Sequence, residues 1–276
     1  MMIEEAKIEP GGIKTTRLGL GTASLHHLPS SRKRQELLAK AHDLGIRHFD
    51  TAPAYGHGLA ERELGLFLRG RRDECIVVTK YGLPAAAWIE HARPIERELM
   101  ALRAVGARLG AFRTARPPLT PEGLRNAIEK SLRRLGIDFI DVHLLHDPEL
   151  ARIPSLPDLL GTYERLREEG KVRAFGIAGS FAPCRAILTA AGTPLVLQTP
   201  ESEWDAGAAP SVTFGAISGG AQHFGRRRIS SHAAVIALKA ALARRPRGVV
   251  LVATRQPENL MALALACSSF AAAPSA

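Results

Sequence analysis

Eight times along this chain a short apolar run is followed by a longer segment of helical period. The runs are RLGLGTA (17–23), HFDTA (48–52), CIVVTK (75–80), FIDVHLLH (139–146), AFGIAG (174–179), LVLQT (195–199), SVTFGAI (211–217) and VVLVAT (249–254). They are close to continuously apolar rather than alternating, the pattern of parallel strands covered on both faces. The segments between them have helical stripes and stops. Ser30 or Ser31 caps one with Leu37, Leu38, Ala41 and Leu44 on its apolar face, and Gly45 ends it. Thr120 and Pro121 open another with Leu124, Ile128, Leu132 and Leu135, and Gly136 ends it. Only the helix after 195–199 is weakly signalled. Eight strand–helix units in 276 residues predict an α/β fold, a (β/α)8 TIM barrel spanning residues 1–276 as a single domain. A doubly wound open sheet is the alternative, but no GxGxxG follows the first run.

One connection departs from this rhythm. Residues 81–119 are far longer than the roughly 2–6 residues usual between such elements. Ile95, Leu99 and Leu102 have helical spacing there, and Trp88 and Phe112 add aromatic bulk. The insertion reads as a partly helical lid.

Composition narrows the function classes. No run of about 18 apolar residues is present, which predicts no membrane span. The first residues are acidic where a secretory signal would be basic. Cys75, Cys184 and Cys267 are odd in number and widely spaced, which disfavours disulfides and a zinc site and predicts buried thiols in a reducing cytoplasm. The net charge of +10 raises the question of nucleic acid, but the arginines are scattered, with few aromatics among them and no known binding motif. Residues 101–121 and 206–257 contain no acid. The second stretch has Arg226, Arg227, Arg228, Lys239, Arg244, Arg245, Arg247 and Arg255, which suits either a solvated basic surface or a site for a polyphosphate anion.

In a (β/α)8 barrel the chemistry stands at the C-terminal ends of the strands. The polar residues at those ends are Thr22, Asp50, Lys80, His146, Gln198 and Thr254, with Tyr55 on the loop after Asp50. Each has an ordinary structural explanation alone. Together, at equivalent places on one barrel, Asp50, Lys80 and His146 form a candidate site. A buried lysine needs a partner, and Asp50 is the nearest candidate.

The ordered set DTAPAYGHGLAE, VVTK and LLH resembles the aldo-keto reductases, as do LGLGTA before it and GKVRAFGIAG after it. The likeness runs from about Leu18 to Leu263 and is nearest to the branch with sugar and pyridoxal dehydrogenases. It implies the same barrel and an NADP(H)-dependent oxidoreductase, with NAD(H) as the other option. The substrates would be aldehydes, ketones or sugar hemiacetals and their alcohols, without nucleic-acid or membrane partners. By that resemblance Tyr55 is the general acid/base, Lys80 lowers its pKa, Asp50 holds Lys80, and His146 orients the carbonyl. Gly21, Thr22, Asp50, Gln198, Phe214, Ser218, Gly219, Thr254 and Arg255 match cofactor contacts: Gln198 at the nicotinamide amide, Phe214 stacked on its ring, Ser218 and Gly219 at the pyrophosphate. Thr254 and Arg255, opening the last helix, match the ribose 2′-phosphate site.

The chain departs from the family in two places. Ala178 and Gly179 stand where a Ser-Asn pair holds the carboxamide, and Ala262 and Leu263 stand where a Glu-Asn pair meets the adenine. Those losses keep open a second reading, a non-catalytic cofactor-binding regulatory or interaction protein on the same barrel. A Schiff-base lyase using Lys80 would leave Tyr55 unexplained. For the substrate, Trp88, Phe112 and Trp204 are candidate pocket walls, and Arg103, Arg108, Arg113 and Arg116 would favour an anion.

Overall fold

The computed structural model describes residues 2–85, 116–205, 207, 209–217, 229–245 and 247–270. Eight parallel strands close into a barrel in chain order: β3 (Leu18–Gly21), β4 (His48–Asp50), β5 (Ile76–Tyr81), β6 (Ile140–His146), β7 (Val172–Ala178), β8 (Val196–Pro200), β9 (Val212–Phe214) and β10 (Val249–Val252). Around it lie α1 (Ser31–Asp43), α2 (Leu59–Leu68), α3 (Pro121–Leu135), α4 (Leu156–Glu168), α5 (Phe181–Ala191), α6 (Ser231–Arg244) and α7 (Pro257–Ser268).

The apolar runs are explained by two-sided burial. Val78, Val142, Leu144, Val196, Val212 and Val249 pack inside the barrel. Their neighbours Phe49, Val77, Leu145, Ile177, Leu197 and Val250 pack outward under the helices. Local signals set the helix ends. The Ser30 hydroxyl accepts from the Lys33 N–H to start α1, and Thr120 accepts from Gly123 to start α3. Gly136 ends α3 at φ 63°, a left-handed turn that a glycine adopts without strain.

The barrel's N-terminal end is closed by a hairpin absent from the sequence reading. Strands β1 (Glu5–Ile8) and β2 (Ile13–Thr16) pair antiparallel. Each is four residues long, with only Ala6, Ile8 and Ile13 as apolar inward positions, too short for a periodic signal. Those three side chains join the barrel's interior cluster.

Two further expectations change. Among the described residues no α-helix links β8 to β9. Residues 201–205, 207 and 209–211, Pro210 among them, belong to a return segment instead. Trp204 on that segment is therefore not a substrate-pocket wall. It packs on the outer cluster and lies under the guanidinium groups of Arg244 and Arg245, at 4.6 and 5.1 Å from the ring centre. The last helix begins at Pro257 as expected, with Gln256 as its N-cap; Thr254 and Arg255 lie just before it, and the Thr254 hydroxyl accepts from the Gln256 N–H at 3.2 Å.

Most of the insertion, with Trp88, Arg103, Arg108, Phe112 and Arg113, lies outside the described residues, as do Ser218 and Gly219. Its two ends converge on Arg152, which donates to the carbonyls of Gly82 and Pro117. Arg116 lies 4.0 Å from Asp147 and 3.6 Å from Glu149.

Candidate active site

Strand parity assembles the site. On β4, β5, β6 and β8 the interior positions run up the barrel to Asp50, Lys80, His146 and Gln198. Asp50 pairs in register with Val78, two residues before Lys80, and Lys80 pairs with Leu144, two residues before His146. Counted along the ladders, Asp50 is therefore deepest, Lys80 one pleat higher and His146 higher again. One residue of slip in any strand would turn its group outward.

Asp50 and Lys80 are each 2% exposed. The Lys80 ammonium donates to Asp50 Oδ1 at 2.6 Å and to the Thr51 carbonyl at 3.0 Å. Its third direction is toward the Tyr55 hydroxyl at 3.4 Å, a long contact. Gln198 Nε2 donates to Asp50 Oδ2 at 3.0 Å, so both carboxylate oxygens are engaged. Gln198 Oε1 is left buried with no partner among the described residues. The Asp50 carbonyl accepts from the Thr22 N–H and hydroxyl, which fixes the end of β4 against β3.

Tyr55 and His146 stand above this buried pair and are part-exposed. Their rings meet edge to face with centres 5.8 Å apart. Tyr55 is placed by a tight turn: its N–H donates to the Ala52 carbonyl, and its own carbonyl accepts from Ala60 at the start of α2. The adjoining Gly56, at φ 60°, lies so near His26 that an added Cβ would approach it to 2.5 Å.

Electrostatics distinguish the roles open to these groups. Burial pushes the Tyr55 phenol above its ordinary value, and Lys80 pulls it back only in part. Lys80 acts in the lowering direction expected of it, but burial outweighs the ammonium and the net shift is upward. Burial also works against the Lys80 charge, but Asp50 and then Tyr55 overcome it and raise the lysine. Burial, and then the charges of Lys80 and Arg116, keep His146 far below 6.5. His146 is therefore a neutral imidazole at neutral pH.

The other expected site residues divide. Phe214 ends β9 at the mouth, against the interior cluster. Gly21 ends β3 on the interior side. Thr22 is 1% exposed and its hydroxyl is taken by Asp50. Thr254 and Arg255 lie apart from the tetrad and line a separate groove between β10 and the first barrel loop. Leu263 is buried in the outer core and offers no polar group.

A sequence model of the Aldo/keto reductase family matches residues 17–200. This chain belongs to that family. Its aldo/keto reductase relatives include D-threo-aldose 1-dehydrogenase of Pseudomonas sp, 35% identical over 68% of this chain and 57% of its own length. The NADH-specific methylglyoxal reductase of Escherichia coli is 32% identical over 60% of this chain and 49% of its own length. The chain thus spans about half the length of the curated relatives it matches. Among solved structures, an aldo-keto reductase from Klebsiella pneumoniae in complex with NADPH shares the fold. Its TM-score is 0.68 at 20% identity, covering 96% of this chain and 90% of that one.

Sequence reasoning missed two groups of residues. Asp147, directly after His146, has a left-handed φ of 47° and occupies the space beside Gly179, where an added Cβ would come within 2.7 Å of its Oδ1. Burial raises its carboxyl pKa. Ser24, His27, Gln256 and Asn259 line the groove with Arg255. Ser24 and His27 follow the first apolar run and Gln256 and Asn259 the last, so their only signal was two polar clusters far apart in the chain.

Proposed function

We propose that this chain is an NADP(H)-dependent oxidoreductase that interconverts aldehydes, ketones or sugar hemiacetals with their alcohols, with Tyr55 as general acid/base. The observation that carries the reading is the Lys80 ammonium, buried and clamped by Asp50 and Thr51, with its remaining direction toward a part-exposed phenol. A bare structural pair would have no reason to end on a hydroxyl at an opening.

A nicotinamide cofactor, when bound, supplies the hydride. The chain's residues handle the oxygen. Tyr55 donates its proton to the carbonyl oxygen, and Lys80 stabilises the phenolate left behind. Neutral His146 donates a hydrogen bond to the same oxygen as charge develops on it, without competing for the proton. In the oxidative direction the phenolate takes the alcohol proton. Burial that raises the Tyr55 pKa keeps the phenol protonated at rest, as the reductive direction needs.

The residues fit the cofactor. The orphaned Gln198 Oε1 suits the amino group of a carboxamide, a contact that Ala178 and Gly179 no longer offer through side chains. Phe214 provides an apolar face, and Arg255 a cation for a 2′-phosphate. One relative is NADH-specific by name and one fold neighbour holds NADPH, so this chain's own groove must decide between them.

The test is NADPH oxidation with an activated aromatic aldehyde, compared with Tyr55→Phe. Consumption that depends on Tyr55 supports the reading. Tight NADPH binding without turnover would favour the cofactor-binding regulatory protein, which the substitutions at Ala178, Gly179, Ala262 and Leu263 also suit.

A further inference from the structure

The groove beside β10 brings two basic side chains together. It has a volume of about 810 Å3, and its lining includes Ser24 and His27 from the first barrel loop, Ser231 from α6, and Arg255, Gln256 and Asn259 from the start of α7. No carboxylate lines it among the described residues, and Arg255 makes no ion pair among them. The amides are wired in one direction. Ser231 donates to Asn259 Oδ1 at 3.0 Å, and Asn259 Nδ2 donates to Gln256 Oε1 at 2.7 Å. The Gln256 NH2 group is left as a donor. An arginine, an imidazole able to take a proton and a free amide donor, with hydroxyls at the edge, are the complement of a phosphate monoester.

We propose that His27 is the second cation of the 2′-phosphate site, facing Arg255, and that it makes the preference for NADPH over NADH fall as pH rises. This rests on the NADP(H) reading above. Without an anion, burial and then the charge of Arg255 hold the His27 pKa below 6.5. Among the described residues the groups acting on it are basic: His26 on the same turn, with its ring 3.9 Å away, and Arg255, while His57 and Arg34 act in turn on His26. Glu258, in the first turn of α7, is exposed and does not line the groove.

A phosphate between His27 and Arg255 replaces their repulsion with two charge-assisted contacts and raises the imidazole pKa. The complex then binds more protons than the free protein, so affinity is greatest at low pH and declines through the window between the free and bound values. The phosphate's own second ionisation near about 6 acts in the opposite sense, but it is common to wild type and variant. NADH lacks the phosphate and the coupling.

The experiment is a set of dissociation constants for NADPH, NADH and adenosine 2′,5′-bisphosphate with the full chain, His27→Asn and Arg255→Ala. They are measured from about pH 6 to about pH 8, across the range where histidine titrates. The expected result is a roughly tenfold weaker NADPH complex for His27→Asn near pH 6, converging with wild type near pH 8, and an unchanged NADH complex. Parallel NADPH profiles for wild type and His27→Asn, with Arg255→Ala still weakening NADPH, overturn the role of His27 alone. No NADPH preference in wild type at any pH, and no effect of Arg255→Ala, overturns the cofactor reading as well. An imidazole NMR titration of the unaltered protein gives a measurement that no folding defect can blur. The His27 pKa should rise on adding the bisphosphate, and a constant value would sink the proposal.

Discussion

Two buried aspartates at opposite ends of the barrel show how one kind of chemistry serves two ends. Asp141, near the N-terminal end of β6, is 1% exposed and accepts from Arg72 and Arg173 at 2.7 Å and from the Val77 N–H at 2.9 Å. Asp50, at the C-terminal end of β4, is 2% exposed and accepts from Lys80 at 2.6 Å and Gln198 at 3.0 Å. Burial and pairing are alike. The partners differ. Arg72 also donates to the carbonyls of Cys75 and Phe139, its Nε is left without a partner among the described residues but deep in the wall, and Arg173 reaches toward solvent. The partners of Asp50 lead on to unfinished groups: Lys80 to a part-exposed phenol, Gln198 to an oxygen with no partner among the described residues. A buried ion pair alone does not mark a site; a leftover valence beside an opening does.

The largest expected effect tests that distinction directly. Tyr55→Phe removes one hydroxyl whose only described bond is the 3.4 Å contact to Lys80. Turnover should fall by about 10²–10⁴-fold, the usual worth of a general acid. Stability should change by less than about 1 kcal/mol, because so long a contact contributes little. Steady-state rates and urea melts on the two proteins measure both. A variant that keeps its activity would reduce the mouth to the same standing as the floor.

Lys80→Met comes next and should affect both properties. It strands the Asp50 charge at 2% exposure with only an amide partner. The expected cost is about 3–5 kcal/mol in stability, with activity lost as well. Asp141→Asn is the matched change at the floor. Arg173 is about half exposed and can be rehydrated, so the cost should be smaller, about 2 kcal/mol, and kcat/KM should not move. Activity loss in Asp141→Asn at full stability would break the comparison.

The same contrast explains what the sequence could reveal. Asp50, Lys80 and His146 were legible because each interrupts an apolar run at the end where a barrel places its chemistry. Parallel strands made those runs continuous, so a polar residue stood out. The closing hairpin was not legible: three inward apolar side chains over two four-residue strands leave no period to read. The β8–β9 return was weak in sequence because no α-helix is there among the described residues. Trp204 was misplaced for a related reason, since an aromatic on a loop carries no sign of which face it packs against. The pull of Lys80 on the Tyr55 pKa was legible, but the larger push from burial was not, because charge is visible in a sequence and burial is not. His27 escaped notice because it faces Arg255 only once β3 and β10 close the barrel side by side.

The smallest expected effect concerns three histidines on one stretch of barrel. His48 lies at the floor, 3.5 Å from Thr15 of the hairpin, and His143 bonds Tyr163 at 2.8 Å in the outer wall. Both are fully buried, and burial, then the charge of Lys80, lowers each from 6.5 to about 3. Each ring is neutral when folded and gains a proton on unfolding below 6.5. The unfolded chain then binds more protons, so stability is complete above 6.5 and is lost as pH falls toward about 3. The limit is about 1.4 kcal/mol per pH unit for each histidine. Urea midpoints between about pH 7 and about pH 5 should fall steeply in wild type and less steeply in His48→Asn and in His143→Gln. His146 is also neutral, but it stands part-exposed at the mouth. By the same linkage His146→Gln should flatten the slope of stability with pH, and unlike the other two it should also lower turnover. Equal slopes in all four proteins would mean that these histidines are hydrated in solution. The floor would then be wetter than its packing implies, and the contrast between the two ends would rest on the leftover valences of Lys80 and Gln198 alone.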